Sequence, residues 1–255
     1  MSSNAKYDLG YYTSEALDPE LRSPNVVVPL VMAILNPRSV VDVGCGVGHW
    51  LSTFQKNGVE EILGIDGGHI NPEWLVIPRN AFRAMDLRQP FKLERQFDLT
   101  VCLEVAEHLP SKSAEGLVES LVALAPAVLF SAAIPKQGGT GHVNEQWPDY
   151  WRELFRRYGY ERSDVIRKAI WNKPGVKFWY RQNIFLFAKE GLIEANPLLR
   201  EAAAGEDDLL LIHPAILREL LGLRSTLSSL PKNLWQFLKR PISSQNKHSR
   251  SLSEK

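Results

Sequence analysis

Cysteine is scarce in this chain: there are two in 255 residues, Cys45 and Cys102. One sits in a glycine-rich turn and the other in an apolar strand. That number and placement exclude a disulfide scaffold and suit a reducing cytoplasm, the expected location. An excess of one charge sign is missing too. Thirty basic against 29 acidic side chains leave a formal net charge of +1, so no global field draws the chain to nucleic acid or membrane. Long apolar runs are absent: none reaches the roughly 20 residues of a membrane span. The polar start MSSNAKYD is no secretory signal, and no internal repeat is visible. The length suffices for one sizeable core plus a smaller appendage.

What is present begins with VVDVGCGVGHWL, Val40 to Leu51. Ser39 to Val43 is short, valine-rich and flanked by turn residues, the pattern of a buried parallel strand. Gly44, Gly46 and Gly48 follow at alternate positions, and a helical pattern opens at His49-Trp50-Leu51. Glycine is needed where backbone turns sharply or approaches a ligand closely. The dinucleotide fingerprint G-x-G-x-x-G would place its third glycine where His49 stands. Asp42, two residues before the first glycine, would repel a pyrophosphate and favour a ligand carrying an amino group and a sulfonium. A second apolar strand, EILGID, ends in Asp66, about twenty residues beyond the glycines, where an acid can accept from both hydroxyls of a ribose. A third, NAFRAMDL, ends in Asp86-Leu87, a carboxylate for an adenine amino group and an apolar cover for its ring. A fourth, FDLTVCLEVAEHL, runs from an acid-led turn through a hydrophobic strand into a charged loop.

Acids at successive strand tips after a D-x-G-x-G-x-G turn resemble the class I S-adenosylmethionine-dependent methyltransferases. The resemblance covers roughly residues 24 to 188, and its branch is similar to ubiquinone-pathway O-methyltransferases and other small-molecule or saccharide enzymes. It implies a Rossmann-like α/β fold, a seven-stranded sheet with helices on both faces and an antiparallel last strand. By position it implies that Asp42, Gly44, Cys45, Gly46 and Gly48 surround the methionine moiety of S-adenosyl-L-methionine. Asp66 would hold the ribose, and Asp86 and Leu87 the adenine. Leu103 and Glu104 would pass beneath the cofactor.

Organisation follows the same reading. Residues 1–22 are polar with Tyr11 and Tyr12, a segment expected to fold over the site. Residues 23–189 form the methyltransferase domain, 190–240 a helical extension and 241–255 a disordered tail. Ser23-Pro24 is a good helix start, and Asn36-Pro37 ends that helix. PDYWRELFRRYGY is read as an aromatic helix and NIFLFAKE as the last strand. PKNLWQFLKRP is read as a short basic amphipathic helix, able to meet a partner or membrane surface.

The chemistry is expected at the carboxyl edge of the sheet, on the loops Glu104–Pro110 and Pro135–Trp147. Methyl transfer from a sulfonium is an in-line displacement, so the protein chiefly aligns reactants. A hydroxyl acceptor gains from a general base, and His142 is the first candidate. Asn144 and Gln146 are placed to orient the acceptor, with Trp147, Tyr150 and Trp151 as walls. In E-V-A-E-H, one helical turn would gather Glu104, Glu107 and His108, and His142 would complete a divalent-metal set. That pattern resembles the cluster of small-RNA 2′-O-methyltransferases. Pro110 works against the helical turn, and E-V-x-E-H-L recurs widely in such enzymes, so bound metal is the less favoured option. Glu107 and His108 nonetheless join His142 as catalytic candidates.

Three functions stay open. The favoured one is O-methylation of a small metabolite or saccharide-type acceptor. The second is a metal-assisted RNA 2′-O-methyltransferase, against which stands the lack of a clear nucleic-acid platform. The third is a non-catalytic methyltransferase-like interaction protein.

Overall fold

A computed structural model of the chain describes residues 23–203 and 211–220. The expectations for the N-terminal segment, for PKNLWQFLKRP and for the tail lie outside these residues. Helix α1, Ser23–Leu35, buries Val27, Val28 and Val31 on one face. It stops where Asn36 turns left-handed at φ 44°, as asparagine can with little penalty. The Ser23 hydroxyl, expected to cap this helix, accepts the backbone N–H of Lys177 across the fold at 3.0 Å.

Strand β1 (Ser39–Val43) leads through the glycine turn into α2 (His49–Lys56), and β2 (Glu61–Asp66) follows. Next come β3 (Phe82–Ala84), β4 (Leu99–Leu103), α3 (Ala114–Leu124) and β5 (Ala127–Ser131). Then α4 (Pro148–Arg156), β6 (Tyr160–Ser163), α5 (Val165–Ile170), α6 (Phe178–Asn183) and β7 (Phe185–Lys189) complete the sheet region. The seven strands order as β3-β2-β1-β4-β5-β7-β6. The first five are parallel, and β7 runs antiparallel between β5 and β6. The expected seven-stranded sheet with an antiparallel last strand is the one observed.

Two apolar layers cover the sheet. One gathers Leu117, Leu121, Phe130, Trp151, Phe155 and Phe187, with the rings of Phe155 and Phe187 stacked at 4.0 Å. The other gathers Val28, Trp50, Phe54, Ile166, Tyr180 and Leu186. Strands β4 and β5 are buried throughout, as expected for strands covered on both faces.

Two elements differ from the sequence reading. The third strand pairs with β2 only from Phe82 to Ala84. Asp86 then folds into a turn, its carboxylate accepting the N–H of Arg88 at 3.0 Å. The aromatic helix ends at Arg156, because Gly159 takes φ 74° and Tyr160 begins β6, its hydroxyl donating to the carbonyls of Val122 and Ala125.

After β7 come α7 (Glu190–Ala195), α8 (Pro197–Ala203) and α9 (Pro214–Leu220). Ile193 and Leu199 join the second apolar layer, and Asn196 donates to the carbonyl of Ile34 at 2.9 Å. The start of the expected extension therefore shares the domain core. The chain divides into compact units after Ile216, and of the second only Leu217–Leu220 is described. Among the described residues no helix is long and apolar enough to cross a membrane.

Candidate active site

At the carboxyl edge, the backbone N–H groups of Gly44 and Cys45 both donate to the Ile65 carbonyl, at 2.7 and 3.1 Å. This ties the glycine turn to the tip of β2. Gly44 has φ 85°, and a Cβ there would lie 2.2 Å from Val105 Cγ2, so conformation and space both demand glycine. Asp66 closes the turn from the other side. Its Oδ2 accepts the N–H of Gly46 at 2.7 Å and its Oδ1 that of Gly67 at 2.6 Å. Burial raises its pKa, while those two donors and nearby His69 pull it back down. Behind it Asp42 is buried at the end of β1, and its Oδ2 has no hydrogen-bond partner. Burial, and then the charge of Asp66, push this carboxyl well above its ordinary range.

A cavity of about 490 Å³ opens beside this turn, within the range of ligand pockets. Gly44, Gly46, Asp66, Asp86, Leu87 and Glu104 line it, as does His108. Asp42, Cys45, Gly48 and Leu103, also expected at the cofactor, stand outside the lining. All four are buried. Sequence reasoning missed His69, Met85, Arg88 and Val105, which share the lining. Gly-Gly-His directly after Asp66 was the available signal for His69. Arg88 had none, since only the turn brings its guanidinium onto Asp86 at 2.8 Å to each oxygen. That pairing holds the exposed Asp86 carboxyl down at about 2.

At the tip of β4 the chain turns sharply. Glu104 has φ 54°, a conformation costing a non-glycine residue roughly 1–3 kcal/mol. Several bonds fix it there. Its N–H donates to the carbonyl and hydroxyl of Ser131 at 3.0 and 3.1 Å. Its carboxyl accepts from Asn183 at 3.3 Å and Gln137 at 3.5 Å. Asn183 also donates to Gln137 at 3.0 Å. Neither Gln137 nor Asn183 was singled out from the sequence, because they come from two other segments.

Glu104 is left-handed, and Ala106–His108 is a single 3₁₀ turn. The expected gathering of Glu104, Glu107 and His108 on one helical turn is corrected accordingly. Among the described residues, Glu107, His108 and His142 bring ligand-type atoms within 4.8 Å of one another, without Glu104. Glu107 is fully buried, with its carboxyl against that of Glu104. Burial and then the neighbouring Glu104 raise its pKa well above the usual range. The rings of His108 and His142 meet edge to face at 4.9 Å. His142 Nδ1 lies 2.9 Å from Glu145 Oε1.

The acceptor candidates separate. Asn144 is buried, donating from its amide to the Ala106 carbonyl at 3.3 Å and accepting from Gln146 at 3.0 Å. The backbone N–H groups of Val143 and Asn144 donate to the Glu107 carbonyl at 2.8 and 3.1 Å. These bonds join the two post-strand loops. Trp147 is exposed, as is Val143, whereas Tyr150 packs against the core and against Trp151.

A parallel sheet reversed at its far edge, with a glycine turn and an acid at the tip of β2, defines a class I methyltransferase. Residues 19–167 match the family model described as a methyltransferase domain, and the chain belongs to that family. It is an S-adenosylmethionine-dependent methyltransferase. Among solved structures it is similar to CalS10, an amino pentose methyltransferase from Micromonospora echinaspora involved in calicheamicin biosynthesis, described with SAM bound. Identity is 16%, coverage 72% of this chain and 98% of that one, and the TM-score 0.51. DesVI of Streptomyces venezuelae matches at 15% identity over 74% of this chain and 99% of that one, TM-score 0.49. The methyltransferase domain of bacterial CtHen1 matches at 18% identity over 66% and 98%, TM-score 0.48. No curated protein sequence matches the chain significantly.

Proposed function

We propose that the enzyme methylates an oxygen of a small-molecule or saccharide-type acceptor, with His142 as general base. One observation carries this reading: His142 is held by Glu145 beside His108, and His108 lines the cavity. The cavity residues fit the cofactor. The cradle at Gly44 has no room for a side chain. Asp66 has engaged one lone pair on each oxygen, leaving acceptor capacity for ribose hydroxyls. The buried Asp42 sets a carboxyl with an unpartnered oxygen behind the turn. In this assignment Gly44 and Gly46 hold the methionine part, with Asp42, Cys45, Gly48 and Leu103 as support. Asp66 holds the ribose, and Asp86 with Leu87 the adenine. When bound, the cofactor supplies an electrophilic methyl group on a cationic sulfonium. His142 takes the proton of the acceptor hydroxyl. His142→Ala is expected to lower kcat roughly 10²–10⁴-fold while affinity for S-adenosylhomocysteine stays within twofold. Loss of that affinity in a folded variant would remove His142 from the catalytic role.

A second reading, metal-assisted methylation of an RNA 2′-oxygen, is favoured by the convergence of Glu107, His108 and His142. The two readings separate by calorimetric titration with S-adenosylhomocysteine, in Mn²⁺ or Mg²⁺ and then in chelator. Methyl transfer from labelled cofactor to hydroxylated metabolites and to RNA oligonucleotides is measured alongside. Transfer to small hydroxyl compounds that survives chelator supports the first. Transfer confined to RNA and abolished by chelator supports the second.

A further inference from the structure

We infer that Glu145 is the positioning residue that commits His142 to one tautomer, with its proton on Nδ1 and its lone pair on Nε2. This rests on His142 being the base, and it adds a residue that the sequence motifs left unassigned.

The loop from Lys136 to Gln146 is built around this pair. Glu145 Oε2 accepts the backbone N–H of Lys136 at 2.7 Å, and Oε1 that of Gly138 at 2.8 Å. To bring those donors round, the backbone takes φ 70° at Lys136 and 71° at Gly138. The carboxylate is thereby anchored from its own loop before it meets the ring. Its Oε1 lies 2.9 Å from His142 Nδ1, and a carboxylate already accepting on both oxygens can only accept there too. The neutral imidazole must then donate from Nδ1, which leaves Nε2 as the basic atom. Gly139 lets the loop backbone pack against that end of the ring, since a Cβ there would lie 2.2 Å from Nε2. Both side chains are mostly shielded, with exposures of 12% and 19%, so water competes weakly for the bond. His108 meets the ring edge to face and limits its rotation. The arrangement uses the general logic of an acid orienting a histidine base, assembled within one loop.

The test is ¹⁵N-histidine NMR of the full-length protein at a pH where the ring is neutral, with the His142 signals assigned by their absence in His142→Ala. In the wild type the shifts should show the Nδ1–H tautomer. Glu145→Gln, whose amide can donate to Nδ1, should move the population towards Nε2–H, and Glu145→Asp should restore the wild-type tautomer at least in part. Affinity for S-adenosylhomocysteine should stay within twofold in each variant, which separates this effect from general loosening. An Nε2–H ring in the wild type overturns the inference, and this arm holds even if a variant fails to fold. An unchanged tautomer in folded Glu145→Gln also overturns it. Failure of the base assignment reads out separately, as methyl transfer that persists in His142→Ala whatever the tautomer of the wild type.

Discussion

Asp66 accepts one backbone N–H on each oxygen, from Gly46 and Gly67, so it is oriented before any ligand arrives. Losing its acceptor capacity should be felt directly in binding. Asp66→Ala is expected to weaken S-adenosylhomocysteine affinity by roughly 1.5–3 kcal/mol, the range for hydrogen bonds to a charged group. Unchanged affinity by calorimetry, in a folded variant, would mean the ribose is misplaced. Asp42 makes a different prediction. Burial first, and the charge of Asp66 second, raise its folded-state pKa. Such a group adds stability below the ordinary carboxylate range, and that stability is lost as pH rises through the folded pKa. Asp42→Asn should therefore raise the apo Tm more at about pH 8 than at about pH 4. Equal gains at both would show that Asp42 titrates normally. The identities of these acids were legible because each sits beside its strand or turn in sequence. Their partners were less so: Arg88 reaches Asp86 through a tight turn that the strand pattern concealed.

At the scale of elements, the glycine turn and the loop after β4 depend on each other. Gly44→Ala is expected to cost roughly 1–2 kcal/mol for the left-handed backbone and roughly 1–3 kcal/mol for overpacking against Val105. In a double-mutant cycle read by urea denaturation, Val105→Ala should recover the second part and leave the first. Additive costs would show that the two side chains do not meet. The strand-and-helix alternation up to β5 was readable because buried parallel strands are short apolar runs bounded by turns. The end of β3 was not, since pairing with β2 stops at Ala84 while the apolar pattern continues through Met85. Nor was β6, whose YERS has no strong period and is a strand because β7 offers it an edge.

For the whole molecule, a ligand that binds only the folded chain stabilises it by mass action. At about 100 times its Kd, S-adenosylhomocysteine should add ~2.7 kcal/mol, or a Tm rise of ~5–11 °C for a chain of this size. A flat Tm across that titration, measured by calorimetry, would argue that the cavity does not take the cofactor nucleoside. The sequence by itself determined the class of fold, the glycine turn and the acids at the strand tips, because each is written within a few consecutive residues. Tertiary structure alone decided that Glu104 stays out of the group formed by Glu107, His108 and His142, that Gln137 and Asn183 steady Glu104, and that β7 inserts between β5 and β6. It also turned Asn144 inward as a tie between loops and left Trp147 outward. Periodicity fixes which face of an element is apolar. Strand order, a left-handed residue at a strand tip and the path of a glycine-rich loop fix which distant side chains share one site.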